Sequence, residues 1–136
     1  MRLMVCLDNA CGTSFFGRRQ SMDSVLRQKA VALAGDGPLW MDGYSAGQFR
    51  DLEDRIRLTD TPLEDVPRDG WFFLELAAPE PLLRDADMLA VIRWNRDYPA
   101  DRWFPLEAVT VDASLCCREE FPGSSHECIT LEVYRL

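Results

Sequence analysis

Residues 127–135 read Glu-Cys-Ile-Thr-Leu-Glu-Val-Tyr-Arg. Cys128, Thr130, Glu132 and Tyr134 fall on one side, and Ile129, Leu131 and Val133 on the other. That period of two marks a strand with one face in a core. A partner strand is expected over Val109–Arg118, and Glu119–Ser125, which contains Pro-Gly-Ser-Ser, reads as the hairpin loop between them. Upstream the pattern changes. Arg2–Leu7, Pro38–Met41, Trp71–Leu76 and Met88–Trp94 are short apolar runs without alternation, the form of strands buried on both faces. Helical segments lie between them. Val25, Leu26, Ala30 and Leu33 share one stripe, with Ser21 as the expected N-cap and Gly35 closing the helix. A shorter helix over about 46–55 is expected behind Ser45-x-x-Gln48, and a stub follows at Pro79–Arg84. Residues 8–20 read as a loop, and residues 57–70 as an irregular connection. An edge strand near 57–62 could pair with another chain to make a homodimer. Strands alternating with helices, then a terminal antiparallel pair, give an α/β fold. It is a three-layer sandwich around a mixed, mostly parallel sheet, in one domain spanning 1–136.

Composition narrows the function classes. The net charge is −8, so a nucleic-acid partner is not expected. No apolar run is long enough to cross a bilayer, and residues 1–12 lack the apolar stretch of a secretory signal, so a cytoplasmic protein is expected. The charge is uneven: residues 1–35 carry five bases against two acids, and the rest ten bases against twenty-one acids. The basic locus lies at Arg18 and Arg19, where a small anion could sit. Five cysteines without a Cys-x-x-Cys read as reduced thiols rather than as a zinc site built from Cys116 or Cys117 with His126 and Cys128. A single histidine, with no Gly-x-Ser-x-Gly and no phosphate-binding glycine loop, argues against a hydrolase triad and against a histidine-rich two-zinc centre.

Four stretches, in order, resemble the dihydrofolate reductase family. The opening strand running into Asp8-Asn9-Ala10-Cys11-Gly12 is similar to the family's first strand and its mobile loop. Ser21-Met22-Asp23-Ser24-Val25-Leu26 looks like the start of the helix that carries the family's catalytic acid. Leu39-Trp40-Met41-Asp42-Gly43-Tyr44-Ser45 is similar to the strand-to-helix turn that takes the cofactor phosphate. Asp101-Arg102-Trp103-Phe104-Pro105, then a strand, a loop and a last strand, looks like the Asp-x-x-Phe-Pro segment and closing hairpin. The resemblance implies NADPH as cofactor, but three positions depart from it. Arg18-Arg19-Gln20 replaces an apolar corner, Gly43 stands where a phosphate-gripping arginine is expected, and Ala77-Ala78-Pro79 replaces a glycine pair. Normal reductase activity is therefore not expected.

The resemblance makes Asp23 the candidate catalytic residue, with Ser24 an equal alignment partner. Arg18, Arg19, Gly43 and Ser45 are the candidate ligand-binding residues, around a cleft between the 8–20 segment, the helix at 21 and the Gly43 turn. The expected ligand is a small anion or heterocycle. The alternative is a non-catalytic interaction or regulatory protein that kept the fold and lost the site. Asp101, by resemblance, is expected to hold the first loop by hydrogen bonds.

Overall fold

The computed structural model describes residues 1–136. Ten strands and five helices run in the order β1 (Arg2–Leu7), β2 (Gly12–Phe15), β3 (Arg18–Arg19), α1 (Ser24–Leu33), β4 (Leu39–Met41), α2 (Gly43–Ala46), β5 (Ile56–Leu58), α3 (Pro62–Asp65), β6 (Trp71–Leu74), α4 (Pro79–Leu83), β7 (Met88–Arg93), β8 (Arg102–Trp103), α5 (Leu106–Thr110), β9 (Ser114–Phe121) and β10 (Ile129–Arg135). A 3-10 segment, Arg50–Arg55, precedes β5.

Seven strands form one sheet in the order β5-β4-β6-β1-β7-β10-β9. The first five are parallel, and β10 runs antiparallel to both β7 and β9. The apolar runs are the inner strands. Phe72, Phe73, Leu89, Ala90, Val91 and Ile92 are all buried, because helices or loops cover both faces. One face packs Met4, Phe73 and Ile92 against Leu26, Ala30 and Val31 of α1. The other packs Leu3, Val5, Phe72 and Val91 against Leu82, Phe104 and Leu106. This is the expected three-layer arrangement.

Several local expectations are corrected. Residues 8–20 are not an open loop. They form the β2–β3 hairpin, which β8 completes as a separate three-stranded sheet. Asp8 starts this turn by accepting from the amides of Ala10 (2.9 Å) and Gly12 (2.7 Å). The 109–118 strand begins later, at Ser114, because Pro105 opens a turn of helix that buries Leu106. Helix α1 is capped by Asp23 rather than Ser21, and α2 by Asp42 rather than by Ser45, which lies inside it. An aspartate accepts more strongly than a hydroxyl at a helix N-terminus, where the dipole also favours its charge. The expected helix over 46–55 shrinks to the 3-10 segment, in which Leu52 leaves helical geometry. The short edge strand is present as β5.

Candidate functional site

Asp23 is 2% exposed, and both of its carboxylate oxygens are occupied. Oδ1 accepts from the amides of Val25 (2.9 Å), Leu26 (3.1 Å) and Ser124 (3.0 Å). Oδ2 accepts from the Ser125 amide (2.8 Å) and hydroxyl (3.2 Å) and faces His126 Nδ1 at 3.0 Å. One side chain thus caps α1 and also ties down the loop before β10. Burial pushes the carboxyl up, but the Ser125 and Ser124 amides, His126 and the Leu26 amide outweigh it and hold the acid far below the usual carboxylate range.

His126 is 4% exposed. The carboxylate at Nδ1 assigns the proton to that nitrogen. Nε2 then accepts from the Tyr98 hydroxyl at 2.8 Å and lies 3.2 Å from Ser21 Oγ. The Trp94 ring stacks on the imidazole, with centroids 4.6 Å apart. Asp23, His126 and Ser21 follow the order of a hydrolytic relay, but the phenol of Tyr98 holds Nε2 at the shorter distance. The cluster joins four separate segments and leaves Asp23 no free oxygen to turn toward a ligand.

Arg19 leaves β3 and crosses the expected cleft. Nε donates to Glu75 Oε2 at 3.0 Å and Nη2 to Glu75 Oε1 at 3.2 Å, while Nη2 also donates to the Tyr44 carbonyl at 3.0 Å. The guanidinium lies 4.2 Å above the Tyr44 ring, and the Arg19 amide donates to the Tyr44 hydroxyl at 2.9 Å. This bidentate pair neutralises the arginine expected to hold an anion. Between Cys6, Thr13, Arg19, Ser21, Glu75 and Trp94 about 10 Å³ remains. Pockets that take small ligands measure roughly 300–1,000 Å³. Burial pushes the Cys6 thiol well up, Glu75 adds to the rise, and Arg19 opposes it.

The other candidates are dispersed. Arg18 is exposed beside the hairpin tip. Ser24 opens α1, and its amide donates to Ser124 Oγ at 2.9 Å. Gly43 opens α2 on the surface. Ser45 is fully buried, its amide on Asp42 Oδ1 at 2.9 Å and its hydroxyl without a partner. Cys116 and Cys117 are exposed on β9, and both nitrogens of His126 are already engaged. Asp101 does hold the first loop: the Phe16 amide donates to its carboxylate at 3.1 Å, and its own amide donates to the Ser14 carbonyl at 3.1 Å. Beside the filled cleft, an open groove of about 240 Å³ runs between Thr13, Glu75, Glu80, Arg102, Trp103 and Phe104.

Sequence reasoning did not find Tyr98, Trp94, Glu75 or the structural weight of His126. One signal was present. A side chain at Gly123 would collide with Asp23 Oδ2, so this loop needs a glycine for close approach and not for its turn.

No family model and no curated protein matches the sequence. Among solved structures, a dihydrofolate reductase from Enterococcus faecalis, complexed with NADP(H) and RAB-propyl, superposes with a TM-score of 0.65 at 9% identity. The match covers 98% of this chain and 94% of that one. No helix here is long and apolar enough to cross a membrane. The strand order, the layers and this superposition together give the chain a dihydrofolate reductase-like fold.

Proposed function

We propose that this protein is a non-catalytic module of dihydrofolate reductase-like fold, acting as an interaction or regulatory protein through its surface. The observation that supports this reading most is the Arg19–Glu75 pair on Tyr44, which fills the cleft with the protein's own side chains. Hydride transfer needs a nicotinamide ring held against its substrate, and that needs volume. Five free thiols suit a reducing compartment such as the cytoplasm.

A thermal-shift series with NADPH, NADH, dihydrofolate, nucleotides and sugar phosphates tests the reading. No change in midpoint is expected. A saturable rise with any of them overturns it, since a ligand at 100 times its dissociation constant adds about 2.7 kcal/mol. The groove beside Arg102 and Trp103 supports a second reading, a binder of a small anion or heterocycle. That reading requires a saturable shift that Arg102→Ala abolishes.

A further inference from the structure

The outer edge of the large sheet carries one more feature. Strand β9 is eight residues long, pairs on one side only, and exposes every residue from Ser114 to Glu120. The opposite edge, β5, has three residues. Long uncovered edges are normally blunted by charged side chains, by proline, by a covering segment or by a bulge. The charges on this edge are of both signs, so they can pair with a second copy. Here a bulge interrupts the pairing with β10 between Leu115 and Cys117, which lie opposite Tyr134 and Val133. It leaves Cys117–Phe121 as a regular ladder edge whose middle residue is Glu119.

Antiparallel strands of two identical chains pair about a two-fold axis perpendicular to the sheet. Residues opposite one another then share a face, so the axis passes through a residue. At Glu119 it sets Arg118 opposite Glu120 of the second copy, twice, and Cys117 opposite the second copy's Phe121. Arg118 and Glu120 already meet at 2.9 Å within one chain, so the pair of copies assembles a ring of four alternating charges. The two Glu119 carboxylates approach at the axis. Each already has Lys29 of α1 at 3.3 Å, which offsets their repulsion. An axis at Arg118 instead opposes two arginines and sets Cys117 opposite Glu119 and Cys116 opposite Glu120, so no opposite charges meet across the strands.

We propose that β9 is a self-association edge. Two copies join antiparallel through Cys117–Phe121, with the two-fold axis at Glu119, and extend the seven-stranded sheet across both chains. The contact is small and belongs to the weak, concentration-dependent class. It does not depend on the state of the cleft.

Sedimentation of the full chain from about 5 to 500 µM tests this, a range suited to weak interfaces. The mass is expected to rise from 15.5 kDa toward twice that value. Glu120→Arg sets like charges opposite one another and is expected to weaken association about tenfold. Adding Arg118→Glu restores opposite charge, and with it association. Lys29→Ala, a change on α1 and off the edge, also weakens it. Far-ultraviolet circular dichroism confirms that each variant is folded. A monomer across the whole range overturns the proposal, as does association unaffected by Glu120→Arg. The proposed register keeps the two Cys117 residues four positions apart. A dimer locked by a Cys117–Cys117 disulfide under mild oxidation therefore places the axis elsewhere and overturns it too.

Discussion

Asp23 Oδ2 lies 3.0 Å from His126 Nδ1, across a sequence separation of 103 residues. The contact fixes the N-terminus of α1 to the loop before β10. It also occupies the acid that family resemblance marks as catalytic.

Asp23→Asn is expected to destabilise the fold by about 2–4 kcal/mol, because an amide nitrogen replaces an oxygen that accepts buried hydrogen bonds. For a chain of this size the melting midpoint falls roughly 3–5 °C per kcal/mol. Gly123→Ala should act in the same direction, since its methyl group displaces the same oxygen. Thermal melts of the three proteins give the comparison.

The pH dependence follows from the depressed Asp23 acid. Its contribution is complete above the ordinary carboxylate range, near pH 4, and is lost as pH falls toward its lower native value. Urea midpoints measured between about pH 5 and about pH 2 should therefore fall more steeply for the wild type than for Asp23→Asn. Parallel slopes would remove Asp23 as the source.

Arg19→Met strands Glu75, whose side chain is 8% exposed, so a loss of about 1–3 kcal/mol is expected. Adding Glu75→Gln should recover part of it, because the stranded charge is removed. Strict additivity in the double-mutant cycle would show that the two side chains do not act as a pair.

Two glycines should behave in opposite ways. A Cβ on Gly12 would stand 2.6 Å from Ala100 Cβ and from Asp8 Oδ2, so Gly12→Ala is expected to cost about 1–3 kcal/mol. Gly43 has open space around its Cβ position and opens a helix. Gly43→Ala is expected to stabilise by about 0.4–1 kcal/mol. Chemical denaturation separates these signs directly.

At the β2–β3 tip, Phe16 (φ 51°) and Gly17 (φ 68°) both occupy the left-handed region, as a two-residue type I′ turn requires. A bulky residue is strained there, and Phe16 is 78% exposed. Phe16→Asn should raise stability by about 0.5–1 kcal/mol, since asparagine tolerates that backbone and little apolar burial is lost. The thermal midpoint reads the change.

The sheet was legible because its inner strands are apolar on both faces and β10 alternates, patterns that local sequence carries. Caps were partly legible: Ser21 and Asp23 both suit a helix start, and the choice between them depends on Ser124 and Ser125, a hundred residues away. The β2–β3 hairpin was hidden because its strands are two to four residues long and its turn holds a phenylalanine where asparagine would have signalled it. Arg18 and Arg19 looked equivalent in sequence. Only the end of β6, which brings Glu75 alongside, separates the half-buried, ion-paired arginine from the exposed one.

The cap on α1 has a consequence for how the protein is made. Four of the groups that satisfy Asp23 belong to Ser124, Ser125 and His126. On a ribosome, the first helix therefore emerges long before its partners exist, with its acid still exposed to water. The helix gains its final anchorage when the last hairpin is synthesised. The closing hairpin thus completes the cap at the start of the first helix.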